Sequence, residues 1–251
     1  MRVRLRHAST GQQEEVCPSI LISADGAEGS VGKTLGHRLP TVSLLQAKIT
    51  LPQDHPPNLA RILFKREITP YFFWLFPDSP HTGIVGVIMD NGDGVRQALD
   101  GFIHQMECEP LEYQEGYTSL YMPDFRPELK RGGLHIFFVG DAAGQVKATT
   151  VGGTVAGLRG AEACVRVINK GTSYWQELSP LRRELRVHSL IRRFLNPLDD
   201  GDYGKVLSSV DGKGSFPGRF SRDEISSHLI PLLLKHPRFS FTILKAMTKG
   251  M

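Results

Sequence analysis

An apolar run that leads directly into a glycine–aspartate turn is the feature that most constrains this chain. Residues 134–139 are apolar enough to predict a buried strand, and Gly140 and Asp141 follow at once. Small residues then lead to a predicted helix that begins near Thr154. Such a strand delivers a carboxylate to its carboxyl end, and a helix start offers unpaired N–H groups to a ligand. The pattern therefore predicts an α/β arrangement that holds a polar ligand.

The composition is that of a folded globular protein. The chain has 251 residues, of which 40% are hydrophobic and 22% are charged, so it can form one large core or two smaller ones. The net charge of +4 is too small by itself to argue for nucleic-acid binding, and we expect no nucleic-acid partner. Three widely spaced cysteines predict reduced thiols in a cytoplasmic protein. No apolar run approaches the roughly 18 residues that span a bilayer, so we expect at most peripheral membrane contact.

The spacing of turn residues predicts close-set strands first and helices last. Strands are predicted at residues 2–6, 16–23, 42–50, 59–66, 71–76, 82–89 and 134–139. Helices are predicted at 93–107, 154–169, 180–195, 199–210 and 222–247, with a linker at 211–218. Short turns between the first strands favour an antiparallel sheet, and the whole pattern predicts a mixed α/β (α+β) fold. The histidines form no i,i+4 pair on a helix, so no metal site is expected.

Residues 140–154 suit a ligand that carries hydroxyl groups and a planar ring. Asp141 can accept hydrogen bonds from sugar-like hydroxyls, and Gly152 and Gly153 let the backbone approach a flat ring closely. The helix start at Thr154 carries a partial positive charge. A ridge of small residues continues along this helix: Gly153, Ala156, Gly157, Gly160, Ala161 and Cys164. The alternative is an ordinary strand-to-helix corner with a chance Gly-Asp pair.

This segment resembles the second flavin-binding motif of FAD-dependent reductases and hydroxylases. The resemblance implies that Asp141 hydrogen-bonds the ribityl chain of FAD and that Gly140, which allows the tight strand end, belongs to the same cofactor site. It also implies that Gly152, Gly153 and Thr154 face the pyrimidine edge of the flavin.

An earlier strand also ends on a carboxylate and a glycine. Asp25 and Gly26 resemble the Asp-Gly motif of the same flavoproteins, which implies that they lie beside the bound dinucleotide. The family has Ser four residues after that Asp, whereas this chain has Gly29 followed by Ser30. A strand that ends in Asp-Gly also forms ordinary turns.

A run of aromatic residues narrows the resemblance to one family. The run is similar to the Tyr-x-Trp-x-Phe-Pro strand of geranylgeranyl reductases, which are flavoenzymes that hydrogenate isoprenoid double bonds. The matching positions are Phe72 (at the family's Tyr), Trp74, Phe76, Pro77 and, at the first of two later glycines, Gly86. The resemblance implies that these residues line the substrate wall, and a plain hydrophobic core strand is the alternative. Gly144 stands where aromatic hydroxylases have His, which favours the reductases.

The resemblance implies an FAD-dependent oxidoreductase that reduces an isoprenoid or prenyl lipid, with NAD(P)H or ferredoxin as electron donor. No residue is identified as the proton donor. The G-x-G-x-x-G unit that opens such proteins is not found in residues 1–251, so we expect a chain truncated at its N-terminus. Two alternatives stay open. One is a non-catalytic lipid-binding remnant or a subunit that needs a partner, and the other is a flavin monooxygenase or halogenase.

Three regions are predicted from the order of these motifs. Residues 1–40 and 130–170 form the remainder of a Rossmann-type FAD-binding domain, residues 41–129 an antiparallel substrate domain, and residues 171–251 a helical region. One side of the first C-terminal helix carries Arg182, Arg183, Arg186, Arg192 and Arg193. These arginines form either a solvated face or a surface for anionic lipid headgroups.

Overall fold

The computed structural model describes residues 2–51, 55–90 and 92–204. The strands are β1 (Val3–Arg6), β2 (Gln13–Val16), β3 (Ile20–Ser23), β4 (Thr41–Thr50), β5 (Arg61–Leu63), β6 (Phe73–Pro77), β7 (Thr82–Met89), β8 (Pro110–Ser119), β9 (Glu128–Arg131) and β10 (Leu134–Phe138). The helices are α1 (Ser30–Leu35), α2 (Val95–Gln105), α3 (Thr154–Lys170), α4 (Tyr174–Glu177) and α5 (Ser179–Leu195), and Gly140–Ala143 form a 3-10 turn.

The chain divides into two compact units. Among the described residues, the first unit comprises 2–40 and 118–186, and the second comprises 41–51, 55–90, 92–117 and 187–204. The boundary after residue 40 coincides with the one drawn from the sequence. Residues 118–129 and 171–186 group with the first unit, whereas the sequence assigned them to the substrate domain and to the helical region.

The first unit is built around β10. Its three-stranded sheet has the order β3-β10-β9, with β3 parallel and β9 antiparallel to β10. Phe138 lies opposite Ser23 in the parallel pair, so the carboxyl ends of both strands meet at one edge of the sheet. Asp25 and Asp141 each follow one of these strands. Ligands of α/β sheets bind at this kind of edge, which makes it the place to look for a site.

Strand β10 is buried on both faces. Phe137 and Val139 pack in a cluster with α3, α4 and α5, whereas Ile136 and Phe138 pack against α1. A strand covered on both faces carries a nearly continuous apolar run, because neither face meets water. The buried strand predicted at residues 134–139 is confirmed.

The second unit contains a five-stranded sheet in the order β5-β6-β7-β4-β8. The pairs β5–β6, β6–β7 and β4–β7 are antiparallel, as the short turns predicted. Helix α2 covers one face through Val95, Leu99, Phe102 and Ile103, which pack with inward residues of the strands. The mixed α/β fold with an antiparallel sheet is thereby confirmed.

Several predicted elements need correction. Residues 16–23 are not one strand, because β2 ends at Val16 and β3 begins at Ile20. Pro18 lies between them, and proline has no N–H to donate to a sheet. Helix α1 and strands β8 and β9 were not predicted. Residues 200–204 are helical, while residues 205–210, the 211–218 linker and the 222–247 helix lie outside the described residues.

Candidate functional site

The 3-10 turn after β10 holds Asp141 at the edge of the first unit's sheet. Gly140 and Gly144 bracket this turn in left-handed conformations, with φ of 67° and 63°. Burial raises the pKa of Asp141 above its usual value, while hydrogen bonds from the Thr118 side chain and the Ser119 backbone act in the opposite direction. A carboxylate has about four lone-pair sites, so Asp141 can accept donors from a ligand in addition to Thr118 and Ser119.

A buried hydrogen-bond network fixes the position of this turn. Gln145 Oε1 accepts a bond from the Gly140 N–H at 2.8 Å, and Gln145 Nε2 donates to the Tyr174 hydroxyl at 3.3 Å. That hydroxyl lies 3.1 Å from the Phe138 carbonyl and 3.2 Å from the Gly160 carbonyl, either of which can accept its proton. Burial raises the pKa of Tyr174, so the hydroxyl remains a donor. This network was not predicted from the sequence, where its one signal is a glutamine that directly follows the Gly140–Gly144 turn.

The small-residue ridge of α3 faces the same turn. A Cβ at position 153 would lie 2.8 Å from Asp141 Oδ1, and one at position 157 would lie 3.2 Å from Gly140 Cα. A Cβ at position 160 would lie 1.9 Å from Gln145 Oε1. Glycine at these positions therefore allows the helix to lie directly against the turn that carries Asp141.

The start of α3 is open to a ligand. Gly152 and Thr154 are exposed, and the N-cap residue Gly153 has no side chain that could cap the first turn of the helix by a hydrogen bond. The first N–H groups of a helix have no partner within it, and they carry a partial positive charge. Asp141 lies beside Gly153. Its carboxylate, which accepts hydrogen bonds, is therefore next to the N–H donors at the start of α3.

Asp25 is engaged within its own turn. Its two carboxylate oxygens accept bonds from the Ser23 hydroxyl at 2.5 Å and from the Val31 N–H at 3.1 Å. Burial alone would raise the pKa of Asp25, but these hydrogen bonds outweigh it and hold the pKa below its usual value. A Cβ at position 29 would lie 2.4 Å from the carboxylate, so the turn as it is formed here leaves room only for glycine at that position. Gly26 turns the chain with a φ of 81°.

The predicted substrate residues lie on the second unit's sheet. Trp74 and Phe76 share the face of β6 that points away from α2, because side chains alternate along a strand and Phe73 and Leu75 pack against α2. Phe72 packs edge-on against Trp74, with 6.4 Å between ring centroids.

Two of the predicted substrate positions behave differently from each other. Gly86 lies opposite Trp74, and a Cβ there would lie 2.1 Å from the indole ring, so glycine makes room for Trp74. Pro77 falls, by the same alternation, on the face shared with Leu75. The structure therefore brings Phe72, Trp74, Phe76 and Gly86 together and separates Pro77 from them.

The predicted arginine face is not continuous. Arg192 is 7% exposed, donates to the Pro70 carbonyl at 2.9 Å and stacks over Tyr71. Arg182 stacks on Trp175, while Arg183 and Arg186 are exposed in the first unit. The prediction of one basic face formed by all five arginines was wrong, because Arg192 is buried in the second unit.

The described residues contain neither a metal-binding cluster nor a membrane-spanning helix. No group of three or more His, Cys, Asp or Glu side chains in residues 2–51, 55–90 and 92–204 is arranged to bind a metal ion. None of the helices in that part of the chain is both long and apolar enough to cross a membrane.

Comparison with known proteins identifies the fold. No protein-family model and no curated protein matches the sequence. Among solved structures, a geranylgeranyl bacteriochlorophyll reductase-like protein from Thermoplasma acidophilum matches 97% of this chain with a TM-score of 0.73 and 20% identity. The chain has an FAD-dependent oxidoreductase fold. A flavin-dependent brominase matches 90% of the chain with a TM-score of 0.50 and 18% identity.

The similarity of this chain to both solved structures is a similarity of fold. The resemblance to geranylgeranyl reductases that was drawn from the motifs is confirmed at that level, and the reductase-like structure is much closer than the brominase. The chain spans 65% of the length of the reductase-like structure and 66% of the brominase.

Proposed function

We propose that this chain is the flavin- and substrate-binding part of an FAD-dependent oxidoreductase that reduces double bonds of an isoprenoid or prenyl lipid. The observation that carries the proposal is the meeting of Asp141 with the uncapped start of α3, in a fold shared with a reductase-like protein. The proposed substrate class, an isoprenoid, rests on the resemblance of residues 72–86 to the aromatic strand of geranylgeranyl reductases.

The residues of the first unit fit a flavin. Asp141 has acceptor capacity for ribityl hydroxyls, and the exposed N–H groups at the start of α3 can donate to the pyrimidine edge. Gly152 and Gly153 leave no side chain between that start and a flat ring. Bound FAD in its reduced form would supply the hydride for an alkene, and one proton from protein or solvent completes the reduction.

The chain's own residues would then orient the bound flavin and tune its reactivity. The partial positive charge at the start of α3 favours negative charge on the ring edge that it faces. Gln145 and Tyr174 keep Asp141 at its place, so the ribityl chain would meet a fixed acceptor. Gly26 and Asp25 would lie beside the dinucleotide through their backbone, because the Asp25 carboxylate is already engaged.

The aromatic face of β6 suits an isoprenoid. Phe72 and Phe76 present apolar rings on one side of the sheet, where Phe76 is 42% exposed, and the buried Trp74 packs beneath them at 9% exposure. An apolar chain would gain from covering such a surface, since burying apolar area is favourable by about 25 cal/mol per Å².

Two other functions are weaker. A flavin monooxygenase or halogenase is disfavoured by the lower TM-score of the brominase and by Gly144 at the position of the hydroxylases' His. A non-catalytic lipid-binding protein or a partner-dependent subunit would lack flavin on its own, which the following experiment decides. NAD(P)H and ferredoxin remain the two proposed electron donors.

The test is a titration of the purified full chain with FAD, followed by flavin fluorescence and absorbance. We expect saturable binding that Asp141→Ala weakens at least tenfold, which corresponds to about 1.4 kcal/mol. Asp124→Ala is the matched control, because Asp124 is an exposed carboxylate of the same unit. Anaerobic photoreduction with geranylgeranyl lipids should then add two mass units per reduced double bond. Absence of any FAD binding would contradict the proposal for this chain.

A further inference from the structure

Two oppositely charged side chains that the proposed function does not use are buried in the first unit. Lys147 is 4% exposed and Glu184 is 9% exposed. Lys147 Nζ lies 3.3 Å from Glu184 Oε1, which is an ion-pair distance, although that oxygen accepts no hydrogen bond from a described residue; the other oxygen of Glu184 forms an ion pair with Arg159 of α3. Glu184 lies on α5, so its single carboxylate joins three segments of the unit. Removing one partner of such a pair leaves an uncompensated buried charge.

The backbone of Lys147 closes the turn that precedes α3. Its N–H donates to the Gly152 carbonyl at 3.1 Å, and its carbonyl accepts from the Val151 N–H at 2.8 Å and the Thr150 N–H at 3.2 Å. Val151 has a φ of 53°, a left-handed conformation that a β-branched residue rarely adopts. A turn with such strain persists only where its surroundings hold it in place.

We propose that Lys147 and Glu184 form a positioning pair that holds the 147–152 turn in the shape that exposes Gly152 and starts α3 at Thr154. Glu184 fixes the Lys147 side chain, and the Lys147 backbone fixes the turn. Arg159 ties the first half of α3 to the same carboxylate, so turn and helix keep one relative position. The consequence for flavin binding rests on the proposed function, whereas the consequence for the turn does not.

The first test measures the turn without any flavin. Hydrogen exchange of residues 147–156, followed by mass spectrometry on the full chain, reports local opening. We expect Lys147→Met and Glu184→Gln to speed exchange there about tenfold, which corresponds to about 1.4 kcal/mol of local stability. Lys147→Arg keeps the charge and should restore protection.

The control is a second ion-pair group on the same helix. Arg166 pairs with Glu162 and Glu177 near the other end of α3. Arg166→Gln should leave exchange of residues 147–156 unchanged. Faster exchange spread equally over the whole first unit, or no change at the turn in either variant, would overturn the proposal. Glu184→Gln is nearly isosteric, so it keeps the test decisive if Lys147→Met does not fold.

The second test connects the turn to the flavin. In the variants that open the turn, we expect FAD affinity to fall about tenfold and to recover in Lys147→Arg. Unchanged FAD affinity with an opened turn would overturn the functional part of the proposal. A wild-type chain that binds no FAD would contradict the proposed function, while the exchange data would still decide whether Lys147 and Glu184 position the turn.

Discussion

At the scale of single residues, Asp141 illustrates a conflict between stability and binding. Its pKa is raised, so the folded state holds the carboxyl proton more tightly than the unfolded state does. Its charged form is therefore unfavourable for folding above pH 3.8, and the loss of stability grows until the pH passes the raised pKa. Residues that bind ligands commonly show this conflict.

Asp141→Asn should therefore behave differently in two measurements. Thermal unfolding between pH 4 and pH 8 should show the variant gaining stability relative to the wild type as the pH rises, because the variant removes the ionisation. FAD affinity should fall at the same time, because a neutral amide is a weaker acceptor than a carboxylate. A stability difference that does not change with pH would contradict the raised pKa.

The pKa of Asp25 is shifted in the opposite direction from that of Asp141. Its pKa is lowered, so its contribution to stability is present above pH 3.8 and is lost as the pH falls through the lower, folded-state value. Gly29→Ser would place a Cβ 2.4 Å from this carboxylate and displace it from the Val31 N–H.

Urea unfolding of Gly29→Ser at pH 7 should show a loss of about 1 kcal/mol, the usual value of a lost helix N-terminal cap. Gly116→Ser is the control, because no atom lies within 4 Å of a Cβ at that position. Equal effects of the two substitutions would show that Gly29 is not required by Asp25.

At the scale of elements, two helices use glycine for different reasons. Gly160 of α3 leaves room for Gln145, whereas a Cβ on Gly101 of α2 would meet nothing within 4 Å. Gly160→Ala should displace Gln145 from the Gly140 N–H and destabilise the chain by about 1–3 kcal/mol, because a buried donor is left without its acceptor. Gly101→Ala should stabilise it by up to about 1 kcal/mol through helix propensity alone. Thermal unfolding of both variants checks the pair, and a stable Gly160→Ala would contradict the role of the α3 ridge.

The elements also show what a sequence can and cannot predict. Strand β10 was predictable because burial on both faces leaves an apolar run, and α3 because its small residues repeat along one face. Strand β8 was missed because it lies at the edge of its sheet, where most of its residues are exposed and the apolar alternation is weak. The buried Lys147–Glu184 pair joins residues far apart in sequence, so no local pattern could have indicated it.

At the scale of the whole molecule, the net charge and the exposed arginines bear on whether the chain contacts a membrane surface. The chain carries a net charge of +4 and a sequence pI near 9.0. Arg192 is buried, whereas Arg183, Arg186 and Arg193 of α5 are exposed, and Arg183 and Arg186 lie one helical turn apart in the first unit. We propose these two residues as the site of peripheral membrane contact.

Cosedimentation with phosphatidylglycerol vesicles tests this contact. The double variant Arg183→Glu, Arg186→Glu should lower the partition coefficient at least tenfold, since each basic residue near an anionic surface contributes about 1 kcal/mol. The double variant Arg2→Glu, Arg4→Glu changes the net charge equally, at a position just before strand β1 and at one within it, and should bind as the wild type does. Binding should also weaken as the salt concentration rises, because screening shortens the reach of these charges. Equal losses in both double variants would mean that the vesicles respond to total charge, and α5 would then have no special role.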